Sequence, residues 1–139
     1  MPARDVYHDQ CKTALIKDGW KITDDPLSLK WAKKDVHIGL GAEEVLAAEK
    51  LGRKIAIEIK SFIGPSEMHD LQQALGQFVI YRAALEASSQ PDRELFMAVP
   101  ERVYFRHFST IEGRALIENE RLQIVVFDQQ TEEITQWIP

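Results

Sequence analysis

Glu58 and Lys60 are the two residues whose types and spacing best support chemistry. They sit in Lys54-Ile55-Ala56-Ile57-Glu58-Ile59-Lys60-Ser61-Phe62, which reads as the strongest strand of the chain. Side chains alternate between the faces of a strand. Ile55, Ile57 and Ile59 therefore share one face, which must be core, and Ala56, Glu58 and Lys60 share the other. Glu58 and Lys60 come out roughly 6.5 Å apart along the strand. A carboxylate there supplies a hard oxygen ligand for Mg²⁺ or Mn²⁺. The ammonium can orient or deprotonate an attacking water and stabilise charge on a phosphate. One carboxylate does not hold a cation, so a second should arrive from the preceding strand, where Glu43, Glu44 and Glu49 are the candidates. A regular hairpin turning near Leu51-Gly52-Arg53 leaves Glu49 close to the turn and far from Glu58. Glu43 is the preferred second ligand, with Glu44 facing the opposite way. Gln73, Gln77 and Tyr81 then follow at i, i+4 and i+8 on the next helix and form a polar ridge. Gln77 and Tyr81 can reach a phosphate or the attacking water.

The elements that must position these residues follow from periodicity and punctuation. Residues 4–17 read as a helix with an apolar stripe of Val6, Cys11, Ala14 and Leu15, stopped by Asp18-Gly19. Residues 20–23 form a short strand ending at Asp24-Asp25-Pro26, and 36–40 and 44–49 are strand-like runs punctuated by glycines. After the strand over 54–62, Gly64-Pro65-Ser66 caps a long helix over 66–87. Its buried stripe is Leu71, Ala74, Leu75, Phe78, Val79 and Leu85. A strand over 95–99, a short helix opened by Pro100, a helix over 110–118 and a hairpin of 122–127 with 133–138 complete the chain. The order is condensed to αβββαβαββ, one mixed-sheet α/β domain spanning residues 1–139.

With these residues in place, the chain resembles a known group. A strand acid followed by Glu-x-Lys, then a helix with Gln-x-x-x-Tyr, is similar to the PD-(D/E)xK nuclease superfamily. More closely, the chain resembles the XisH family, the fdxN element excision controlling factors of cyanobacteria. The stretches that carry this are Tyr7-His8-Asp9, Ala14-Leu15-Ile16-Lys17-Asp18-Gly19-Trp20, Gly41-Ala42-Glu43 leading to Ala47-Ala48-Glu49, Ile57-Glu58-Ile59-Lys60-Ser61-Phe62, Gln73-Ala74-Leu75-Gly76-Gln77-Phe78 with Tyr81-Arg82, and Gln136-Trp137-Ile138. The resemblance implies a restriction-endonuclease-like fold with a central mixed sheet flanked by helices. It also implies a role in excision of a DNA element alongside a recombinase, with a companion factor, XisI. Lys60 and Gln77 would be catalytic, Glu43 and Glu58 would hold Mg²⁺ or Mn²⁺, and Tyr81 and His8, on the helix that borders the site in many such nucleases, would be accessory. The sequence departs from the general pattern in two places. Ala42-Glu43 stands where the superfamily usually has Pro-Asp, and Gly39 stands where related sequences often have Asp.

Composition bounds the alternatives. The formal charge of −5 weighs against autonomous DNA binding, because affinity for DNA comes largely from cations that neutralise phosphates. DNA is nevertheless an expected partner, engaged weakly by the chain alone and more firmly with a companion or as a homo-oligomer. Lys30, Lys33, Lys34 and Arg53 form the basic group nearest the predicted hairpin. Ile134, Trp137 and Ile138 read either as core or as a contact to another chain. Cys11 is the single cysteine, so no intrachain disulfide forms. His37, His69 and His107 lack metal-ligand spacing and read as surface. Without an apolar leader or a membrane-length run, the expected setting is the cytoplasm. No Gly-rich phosphate loop and no serine nucleophile elbow is present.

Overall fold

The computed structural model describes residues 5–33, 36–39 and 45–139. A six-stranded mixed sheet is its frame, in the order β1-β4-β5-β6-β7-β8. The edge strand β1 (Lys21–Asp24) pairs antiparallel with β4 (Val45–Lys50), which forms an antiparallel hairpin with β5 (Arg53–Ile59). Leu51 and Gly52 both have positive φ (51° and 83°) and make the tight two-residue turn of that hairpin. β5, β6 (Glu94–Pro100) and β7 (Ile124–Asp128) run parallel, and β8 (Glu133–Ile138) returns antiparallel to β7.

Parallel neighbours require crossover connections. α2 (Glu67–Glu86) links β5 to β6, while α3 (Glu101–Val103), a π-helical turn over Tyr104–Phe108 and α4 (Ile111–Glu120) link β6 to β7. Both crossovers pack on one face: Ala74, Phe78, Tyr81, Leu85, Val103 and Phe108 meet Val45, Ala47, Ala56, Met97, Val99, Ile124 and Val126. α1 (His8–Lys17) covers the other face, where Cys11, Ala14 and Leu15 meet Leu46, Ile55, Ile57, Ile59, Phe96 and Phe127. With both faces covered, the central strands become continuous apolar runs.

Three expectations need correction. Five strands, not three, separate the first two helices, because β2 (Lys30–Lys33) and β3 (Val36–Gly39) pair as a separate two-stranded sheet. β2 carries two lysines in four residues and gives no alternation long enough to read. The strand expected over 54–62 ends at Ile59, and the chain then turns through Phe62 in the left-handed region (φ 56°). Val79, expected in the buried stripe of α2, is 39% exposed. α1 begins at His8 because the Asp5 carboxylate accepts from Tyr7 N at 2.9 Å and closes a turn just before it.

Trp20 is a core aromatic and the half-buried Trp137 packs against it, with ring centroids 5.6 Å apart, and edge-on to Phe96 at 5.1 Å. Ile134 and Trp137 pack half-buried against the α1-side core and Ile138 half-buried against the α2-side core. Among the described residues no helix is long and apolar enough to cross a membrane.

Candidate functional site

Strand alternation puts Glu58 opposite in sense to Ile57 and Ile59, which lie in the α1-side core. Glu58 therefore faces the α2 side, between its register partners Val45 on β4 and Met97 on β6. It is fully buried. An ionised carboxylate is costly in such a place unless it is paired or coordinates a cation. Glu58, Lys60 and Tyr81 each have an interaction partner. Glu43 and Glu44 lie outside the described residues. Glu49 pairs with Lys54 at the turn end of the hairpin, and its carboxylate is 3.8 Å from Arg93 Nη2, so it is removed from Glu58 as the hairpin geometry predicts.

Lys60 is the first residue past β5, and its N–H still donates to Ala98 O on β6 at 2.9 Å. It lines a cavity of about 130 Å³ with Asp5, Asp70, Gln73 and residues 61–64. That loop is clamped from three sides. Ser61 N donates to Asp5 Oδ2 at 2.9 Å, Gly64 N donates to Asp70 Oδ2 at 2.9 Å, and Arg102 Nη2 donates to Ser61 O at 2.8 Å. A Cβ at position 64 would lie 2.6 Å from Asp70 Oδ1, so any larger residue there would displace the carboxylate that holds Gly64 N. Phe62 stacks on His107 with ring centroids 5.7 Å apart. His107, expected at the surface, is only 15% exposed and lies 3.6 Å from the Glu67 carboxylate.

α2 brings Gln77 toward the same sheet face. Ala74 and Tyr81, one turn before and after Gln77, both belong to the core that contains Val45 and Met97. Gln77 Oε1 is buried, without a hydrogen-bond partner among the described residues. An acceptor left so is costly. A second hard oxygen on the face that carries Glu58 fits a divalent cation or its water shell. Among the described residues no group of three His, Cys, Asp or Glu side chains could hold a metal. Gln73 is exposed, on the outer side of the ridge.

His8 is placed elsewhere. It shares the α1 stripe with Cys11 and Leu15, on the face opposite Glu58. Its ring is buried, and Nε2 lies 2.8 Å from Asp25 Oδ1, while Lys12 Nζ donates to Asp25 Oδ2 at 2.7 Å. Burial pushes the Asp25 carboxyl up, but the Lys12 hydrogen bond and the charges of His8 and Lys12 outweigh it and hold the group below the usual carboxylate range. Burial drives the Cys11 thiol well above its ordinary pKa, which makes it an inert packing residue. Sequence reasoning missed the Asp5, Asp70 and Arg102 clamp, because each comes from a different element. The one local sign was Gly64, six residues before the carboxylate that needs it.

Comparison with known proteins shows the family and the fold. The family profile described as XisH protein matches residues 1–135. Among solved structures, an XisH family protein from Nostoc punctiforme is 39% identical, with a TM-score of 0.85, 97% of this chain and 100% of that chain being covered. An fdxN element excision controlling factor protein from Anabaena variabilis is 42% identical, with a TM-score of 0.85 and coverage of 98% and 100%. No curated protein matches the chain.

Proposed function

Since the chain belongs to the XisH family, we propose that it is an excision controlling factor that acts with a site-specific recombinase on a DNA element. The observation that carries this is the 42% identity, over 98% of the chain, to a protein bearing that function in its name. We read the scaffold as restriction-endonuclease-like, within the PD-(D/E)xK superfamily. The support is a hairpin that delivers a buried glutamate, a lysine two residues on, and a helix that returns over the same sheet face.

In this reading Glu58 and Glu43 hold Mg²⁺ or Mn²⁺, and Gln77 Oε1 contributes a hard oxygen to the ion or its waters. The bound ion supplies Lewis acidity at the scissile phosphate. Lys60, two residues past Glu58, would orient the attacking water and stabilise charge developing on phosphate. Tyr81 adds a polar tip beneath α2, and His8 acts at a distance, by fixing α1 to the end of β1.

A second reading is a non-catalytic interaction module on the same scaffold, favoured by the charge of −5. Excision of a marked element in cells that supply the recombinase and a companion factor tests the first claim. Loss of excision on deleting this chain supports it, and unchanged excision overturns it. Glu58→Gln then separates the two readings. Excision lost with the protein still folded supports chemistry at the site, and excision retained supports the interaction module.

A further inference from the structure

Two cavities adjoin at the end of α2, with Ser89 and Gln90 as their common wall. The first, of about 470 Å³, lies between the segment 27–31 and the last turn of α2. Leu27, Leu29 and Leu85, all buried in the α2-side core, line it. Trp31 lines it too, and is 44% exposed. Trp20 and Trp137 pack on each other, whereas Trp31 has no aromatic partner among the described residues. Lys30 is the one charged residue among those described around this cavity. The second cavity, of about 420 Å³, is polar and lies beside the β4–β5 turn. Arg53 there is paired with Glu94 at 3.0 Å, and the buried Arg93 donates to Ile55 O at 2.9 Å and to Gln90 Oε1 at 2.8 Å. Lys54 is exposed and has no carboxylate partner among the described residues. Strand alternation puts it on the α2 side with Ala56. Asp92 lines the same cavity and limits its affinity for anions.

We propose that the two cavities hold an unpaired nucleotide of single-stranded DNA, its base against Trp31 and its phosphate at Lys54. This rests on the reading of the chain as an excision factor, because cutting and rejoining a DNA element exposes unpaired bases. Every base has a π-face, so stacking on an aromatic side chain is tolerant of sequence. The volume of the first cavity is that of a small-ligand site, and its buried leucines keep water from a stacked ring. Gln90 gives its carbonyl oxygen to Arg93, which leaves its amide NH₂ to donate to a base carbonyl. Each cavity then offers one lysine, Lys30 or Lys54, to the backbone of the strand. Duplex DNA fits badly, since its bases are held inside the stack. An apolar protein segment would fill the first cavity but leave the second, with its lysine, unused.

The test follows the anisotropy of a short labelled oligo(dT) titrated with the full chain through a salt series, together with tryptophan emission. Wild type should bind the strand at low salt with quenched emission, and a Trp31→Phe variant identifies the signal of Trp31. Trp31→Ala should bind at least about fivefold more weakly, the low end for stacking on one base, and Trp31→Phe should keep most of the affinity. Lys54→Ala should bind more weakly, with a log–log salt slope shallower by about 0.7, the share of one single-strand phosphate. An abasic strand with the same phosphates should lose about as much affinity as Trp31→Ala does. No oligo(dT) binding by wild type at low salt would overturn the site. So would an abasic strand bound as well as oligo(dT), an unchanged Trp31→Ala variant, or a duplex that perturbs Trp31 as strongly. Trp31 emission that responds to the companion factor and not to oligo(dT) would reassign the first cavity to a protein segment. Each of these results leaves the excision reading standing, which falls only if deleting the chain leaves excision unchanged.

Discussion

At Glu58 the cost of a fully buried carboxylate and the chemistry proposed for it are two sides of one fact, since a bound cation would offset the cost of burying the charge. Mn²⁺ titrations followed by electron paramagnetic resonance should show binding by wild type, a loss of at least about tenfold in affinity for Glu58→Gln, and near-normal binding for Lys60→Ala. Equal affinity of Glu58→Gln and wild type would remove Glu58 from the ligand set. Gly64→Ala forces a Cβ onto the Asp70 carboxylate and breaks one side of the clamp. Denaturant unfolding should report a loss of about 1–3 kcal/mol, the usual cost of stranding a partly buried hydrogen-bonding group. Asp25 sets an acid limit on stability. Its folded-state pKa lies below the unfolded one, so its contribution is complete above the unfolded value and is lost as pH falls through the folded one. Asp25→Asn should therefore flatten the acid limb of a stability–pH profile, and an unchanged limb would show that the His8–Asp25–Lys12 cluster carries no linkage. Strand alternation alone made the face of Glu58 legible in the sequence, opposite to Ile57 and Ile59. It could not reveal Asp25 beside His8, which depends on how β1 leaves the sheet edge.

Elements were legible where period and punctuation agreed. The β4–β5 hairpin, α2 and the β7–β8 return all stand close to their expected spans, because apolar alternation, a Ser66 cap and tight turns point the same way. The β2–β3 ribbon was not legible as a pair, since β2 carries two lysines in four residues and offers no alternation long enough to read. Nor was the π-helical turn over Tyr104–Phe108, which widens the helix before Gly113 so that α4 can begin against His107 O; a Cβ on Gly113 would lie 2.0 Å from that oxygen. The two sheet faces predict different sensitivities. Ile57 is fully buried against α1, and Ile57→Ala should cost about 2–5 kcal/mol in denaturant unfolding. Val79→Ala, on the exposed side of α2, should change stability by less than about 0.5 kcal/mol, although the sequence alone grouped it with the core.

For the whole molecule, net charge and the proposed role on DNA pull in different directions, and a partner would reconcile them. The net charge of −5 repels a polyanion, so the isolated chain should bind DNA weakly, and a companion that covers acidic surface should raise affinity by at least about tenfold at fixed salt. Equal affinity with and without the companion would show that the chain carries its own sufficient surface. α1 packs beside β8, with Lys17 Nζ donating to Thr131 O at 2.8 Å and Trp20, just past the helix, tilted against Trp137, so the first helix is held by the last strand. On the ribosome, then, the isoleucine face of β5 has no complete cover until residue 138 has cleared the exit tunnel. Nascent chains stalled just after Asp128 should remain open to protease along that face and recruit holdase chaperones, whereas chains released past Ile138 should close within one cooperative step.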